Sequence, residues 1–113
     1  MEMRRIGIIG VGNLGTRHLQ ALALSEEPYQ ITVTDVRKEA LAKAESVFTG
    51  TEGAAKHEVR FVTSIAAMPE RMDVVIVATG SDVRRAVTEE LLLHADVSYL
   101  IIEKVLFQRL GDY

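Results

Sequence analysis

The feature that most constrains this chain is a six-residue turn, Gly10-Val11-Gly12-Asn13-Leu14-Gly15, set directly behind the short apolar run Ile6-Gly7-Ile8-Ile9. An apolar run ended by glycines reads as a buried parallel strand. From Asn13 to about Leu24 the pattern turns helical, with Leu14, His18, Ala21 and Leu22 on one face, and Glu26, Glu27 and Pro28 close it. A chain that leaves a buried strand through three spaced glycines and enters a helix at once has few folds open to it.

The rest of the chain repeats the alternation. Gln30 to Thr34 is β-branched and reads as a second strand. Arg37 to Phe48 carries Ala40, Leu41, Ala44, Val47 and Phe48 at amphipathic helical spacing. Thr49 to His57, with Gly50 and Gly53, reads as an exposed loop, and His57 as a loop residue. Val59 to Val62 is a short third strand, followed by a helical turn from Ser64 to Met68 that Pro69 ends. Val74 to Ala78 is apolar throughout and reads as a central strand. Ser81 stands where an N-cap belongs, before a helix to about His94 with Val83, Ala86, Val87 and Leu91 inward. Tyr99 to Ile102 is a fifth strand.

This order predicts an α/β fold, a doubly wound parallel sheet with strands in the order 3-2-1-4-5 and helices on both faces, because right-handed crossovers place them there. At 113 residues the chain is one domain, with no repeat or linker. Only 11 residues, Glu103 to Tyr113, follow the fifth strand, too few for another helix and strand, so the chain reads as cut. Its last strand would be an open edge, from which a homo-oligomer is expected.

In this context the glycines carry chemistry. Gly10 permits the tight turn, Gly12 lets the backbone approach a pyrophosphate, and Gly15 lets helix and strand pack closely. The first-turn N–H groups and the helix dipole then face the phosphates. Asp35 ends strand two, 20 residues after Gly15, the spacing at which a carboxylate reaches the adenosine ribose hydroxyls. A carboxylate there repels a 2′-phosphate and favours NAD over NADP. Alternatively Asp35 caps the following helix, and Arg37 stands close enough to pair with a 2′-phosphate. The net charge of −3 argues against nucleic acid and anionic membrane surfaces as partners. There are no cysteines, and no run approaches the ~20 apolar residues a membrane span needs. His18, His57 and His94 are dispersed without metal-ligand spacing, so no metal is expected; His18 reads as a packing residue and His94 as a helix C-terminal one. The expected location is the cytoplasm.

With these residues in place, the sequence resembles the Gfo/Idh/MocA oxidoreductases. Ile8 to His18 follows that family's G-x-G-x-x-G-x-x-H, Asp73 to Thr79 resembles its fourth-strand motif, and Glu103-Lys104 resembles its E-K-P. The resemblance implies an NAD(P)-dependent dehydrogenase acting on a sugar, cyclitol or polyol alcohol or ketone, with a C-terminal substrate domain absent from this chain. It implies that Gly10, Gly12, Asn13, Leu14 and Gly15 hold the pyrophosphate and Asp35 the ribose. Thr79 and Glu103 would border the nicotinamide, and Lys104 would be the catalytic residue beside it. The isolated domain is expected to bind cofactor and turn nothing over. Gly80, Ser81 and Arg84 depart from the family's A-T-P-N-x-x-H, and Val105 replaces the proline of E-K-P. These departures leave open a non-catalytic NAD-binding or redox-sensing module, or a relative of the biliverdin or dihydrodipicolinate reductases.

Overall fold

The computed structural model describes residues 3–102. The elements run β1 (Arg4–Ile9), α1 (Asn13–Ala23), β2 (Tyr29–Thr34), α2 (Lys38–Thr49), β3 (Glu58–Val62), β4 (Arg71–Val77), α3 (Ser81–His94) and β5 (Asp96–Ile102), with 3₁₀ turns at Ala54–Lys56 and Ile65–Ala67. The five strands form one parallel sheet in the order β3-β2-β1-β4-β5. That is the expected order.

Two core layers cover the sheet. On one face α1 and α2 bury Leu19, Ala23, Leu41, Ala44 and Phe48 against Ile8, Ile31 and Val33. On the other, Leu91 and Ala95, with Ile65 and Met68 from the segment after β3, cover Ile9, Met72, Val75 and Val77. The apolar character of β1 and β4 follows from this, since a central parallel strand meets side chains on both faces. β4 and β5 each begin three residues earlier than the apolar runs predict, because the ladder continues through polar ends and pairs Arg71 with Asp96.

Four local readings are corrected. In α1 the buried residues are Gly15, Leu19 and Ala23, rather than the stripe through Leu14, His18 and Ala21. The cause is Gly15: a β-carbon there would overlap the Gly10 carbonyl oxygen, and that close approach fixes the rotation of the helix. Gly80, not Ser81, occupies the N-cap of α3. Among the described side chains of α3 only Leu91 is fully buried; Val83 is 46 % exposed and Ala86 is exposed, because the N-terminal half of the helix flanks a cleft instead of lying on the sheet.

The fourth concerns His57, which is buried rather than a solvated loop residue. Its Nδ1 accepts the Tyr29 N–H at 3.0 Å and its Nε2 lies 3.2 Å from the Ala23 carbonyl oxygen. With Nδ1 accepting, the proton sits on Nε2 and donates to Ala23. The ring stacks on Tyr29 at 5.7 Å, so the end of α1 and the starts of β2 and β3 are tied by one imidazole. This knot lies at the amino ends of the strands, opposite the glycine turn.

Candidate functional site

The glycine turn stands at the carboxyl end of β1, where its neighbours β2 and β4 anchor it. The Gly10 N–H donates to the Thr34 carbonyl at 2.8 Å, and the Ala78 N–H donates to the Ile9 carbonyl at 2.8 Å. Gly10 has φ +92°, a conformation L side chains rarely adopt, and a β-carbon there would lie 2.9 Å from Thr79 Cγ2. Gly12 is the N-cap of α1 and extended, with no side chain capping the helix. A β-carbon on Gly12 would meet only Arg37 Nη2, at 4.0 Å. The three glycines therefore do different work. Gly10 makes the turn, Gly15 makes the packing, and Gly12 leaves open the space in front of the helix.

That space is the mouth of a cavity of about 730 Å³. Its walls come from the carboxyl ends of β1, β2, β3 and β4 and from α3: Gly10, Gly12, Thr34, Asp35, Val36, Arg37, Thr63, Ser64, Ile65, Ala78, Thr79, Val83 and Val87 are among its lining residues. A ligand at the carboxyl ends, where the strand order reverses between β1 and β4, is the geometry this sheet topology favours. The first-turn amides of α1 have no intrahelical acceptor by construction, and α1 carries no acidic residue in its first turn to compete for them. An anionic group thus fits the open ground before Gly12.

Asp35 is where the sequence placed it and is busier than the sequence implied. Its Oδ2 accepts the Val11 N–H at 3.0 Å and Arg37 Nη2 at 3.1 Å; its Oδ1 accepts the Arg37 N–H at 2.9 Å and Arg37 Nε at 3.2 Å. Burial opposes its charged form. The Arg37 guanidinium and the two backbone N–H groups outweigh burial and hold the carboxyl below its ordinary pKa. The same pairing raises the Arg37 pKa. Asp35 does not cap α2; Arg37 occupies that position, and Asp35 instead braces the turn between β2 and α2 and ties it to Val11.

Of the residues singled out from sequence, Gly10, Gly12, Asp35, Arg37 and Thr79 line one cleft, with Asn13, Leu14 and Gly15 in the first turn of the helix behind it. Glu103 and Lys104 lie outside the described residues. Thr34, Thr63, Ser64, Val83 and Val87 were missed. The first three end β2 or follow β3, and the rule that ligands gather at carboxyl strand ends would have found them. His18 and His94 are half-buried on helices, His94 Nε2 lying 2.7 Å from the Met68 carbonyl oxygen. Among the described residues no group of three or more His, Cys, Asp or Glu is placed to hold a metal, and no helix is long and apolar enough to cross a membrane.

Fold and cleft together define a dinucleotide-binding α/β domain. Residues 4–112 match the GFO_IDH_MocA family, described as "Oxidoreductase family, NAD-binding Rossmann fold", and the chain belongs to that family. No curated protein sequence matches it. Among solved structures it is similar to a diketoreductase described for dual catalysis of dicarbonyl compounds, at 20% identity and a TM-score of 0.71, over 90% of this chain and 42% of that one. It is also similar to prephenate dehydrogenase from A. aeolicus in complex with hydroxyphenyl propionate and NAD+, at 21% identity and a TM-score of 0.67, over 90% and 34% of the two chains. At these identities the likeness concerns the fold. The chain spans less than half the length of either structure.

Proposed function

We propose that these 113 residues are the cofactor-holding unit of an NAD(P)-dependent dehydrogenase acting on a secondary alcohol or ketone of a sugar, cyclitol or related polyol. The observation that carries the cofactor half of this reading is Gly12, where the absence of a side chain serves no packing and leaves the helix terminus open to a ligand. Gly10, Gly12, Asn13, Leu14 and Gly15 hold the pyrophosphate through backbone N–H groups, and Thr79 borders the nicotinamide. Bound nicotinamide supplies the site that accepts or releases a hydride; the protein supplies orientation and a route for the proton. By the family resemblance Glu103 borders the nicotinamide and Lys104 is the catalytic residue, its ammonium hydrogen-bonding the substrate oxygen and moving its proton. The substrate-holding part of the enzyme lies outside these residues, a reading supported by the small share of each structural neighbour that the chain covers.

The ribose end involves a competition. A carboxylate offers about four acceptor positions, and four N–H donors already use those of Asp35, three of them from Arg37. Two of the three belong to the guanidinium, whose side chain is 57 % exposed and free to swing outward. Ribose hydroxyls then take its two places on Asp35, which favours NAD over NADP. A displaced Arg37 would stand near the 2′-position, so NADP is disfavoured and not excluded.

The test is Lys104→Ala in the complete enzyme. A positioned acid or base is worth about 10²–10⁴-fold in kcat, so kcat should fall by that factor while NAD affinity holds. Unchanged kcat would remove Lys104 from the catalytic role, and absence of hydride transfer in the unsubstituted complete enzyme would remove the dehydrogenase assignment.

A further inference from the structure

Two residues that line the cleft, Thr34 and Thr79, carry buried hydroxyl oxygens with no hydrogen-bond partner among the described residues. Thr79 lies against Gly10 and belongs to the turn. Thr34 is a different case. It is 3 % exposed, ends β2, and gives its backbone carbonyl to Gly10. Register pairs it with Ile9, whose side chain belongs to the core layer beneath α3. Residues paired in a ladder share a face, and successive residues alternate, so Thr34 stands on the α3 face of the sheet while Val33 and Asp35 stand on the other. The cavity that Thr34 lines is also walled by the apolar Ile65, Ala78, Val83 and Val87 and by the polar Thr63, Ser64, Asp82 and Glu90.

A buried hydroxyl with no partner is unfavourable, and valine would fill the same volume without that cost. A buried hydroxyl without a partner, on a cavity wall that also carries Ile65, Val83 and Val87, suits a flat heteroaromatic ring that brings its own donors and acceptors on one edge. Asp35, on the opposite face, already provides for the ribose. We propose that the Thr34 hydroxyl reads the base at the adenosine end of the dinucleotide: it donates to ring nitrogen N1 of adenine and accepts from the 6-amino group. This rests on the dinucleotide reading of the cleft and assigns the residue that recognises the base.

The test combines two substitutions with two ligands. Wild type, Thr34→Val and Thr34→Ser are titrated with NAD+ and with the 1,N6-etheno derivative of NAD+, whose modified base lacks that edge. The unliganded proteins are also melted. One net hydrogen bond corresponds to about 3- to 10-fold in affinity. Thr34→Val should weaken NAD+ by that factor, leave the etheno derivative unchanged, and so shrink the ratio between the two ligands; Thr34→Ser should restore it. Unliganded Thr34→Val should melt at or above wild type, as expected for an isosteric change that removes an orphan group. An unchanged NAD+ affinity, an equal loss on both ligands, or a lower melting temperature of unliganded Thr34→Val would each overturn the assignment while leaving the cofactor reading intact. Wild type that binds neither ligand would overturn both.

Discussion

Gly12→Ala separates binding from folding. The backbone at residue 12 is extended at φ −70°, which any residue adopts, and a new β-carbon would find only Arg37 Nη2, at 4.0 Å. The fold therefore loses nothing, and the unfolded chain loses freedom. At a compatible site this gains about 0.4–1 kcal/mol, or a rise of about 2–4 °C in melting temperature for a domain of this size. In the proposed binding mode the same methyl stands in the path of the pyrophosphate. Overpacking a close contact costs about 1–3 kcal/mol, which is about 5- to 150-fold in affinity for NAD+. Gly15→Ala is the control with the opposite signature, because its β-carbon collides with the Gly10 carbonyl oxygen, rigid backbone that cannot move aside. Its melting temperature should fall by several degrees before any ligand is added. Thermal melts of both variants with and without NAD+ suffice. A Gly12→Ala protein that binds NAD+ as well as wild type, or one that melts well below it, would refute the division of labour among the three glycines.

Arg37→Ala should strengthen NAD+ about two- to five-fold, the worth of an ion pair with one exposed partner no longer competing for Asp35, and weaken NADP+; parallel calorimetric titrations check both signs. Asp35, with its folded pKa held below the ordinary value, stabilises the fold fully above about pH 3.9 and loses that contribution as the pH falls through the folded value. The gap in urea midpoint between wild type and Asp35→Asn should accordingly shrink on acidification from pH 7 to 3, and a gap independent of pH would contradict the charged pairing. His57→Ala leaves the Tyr29 N–H and the Ala23 carbonyl without their partner in a buried setting, a loss of about 2–6 kcal/mol at about 1–3 per unsatisfied group, measured by urea denaturation with cofactor binding retained.

The strand order was legible because short apolar runs alternate with helical stripes, and parallel crossovers then leave little choice. Helix rotation was not. The stripe through Leu14 and His18 looked like the inner face of α1 on hydrophobicity alone, and a backbone contact at Gly15 decided otherwise. Val83 read as core because nothing in a local window says that a helix flanks a cleft, whereas Val87 does pack against the core layer beneath α3. His57 was invisible for the same reason: its partners, Ala23 and Tyr29, lie 34 and 28 residues away. Within the site, the glycines and Asp35 follow from spacing, whereas the Arg37 clasp and the orphan Thr34 hydroxyl depend on tertiary contacts and appear only in three dimensions.

The most direct measurement is a ¹⁵N–¹H amide titration of the chain with NAD+. The account predicts saturable shifts at Gly10, Gly12, Asn13, Leu14 and Gly15, extending to Asp35, Ser64 and Thr79, with Tyr29 and His57 at the far end of the sheet unmoved. No shift at the glycine turn, or shifts confined to the Tyr29 and His57 end, would contradict it.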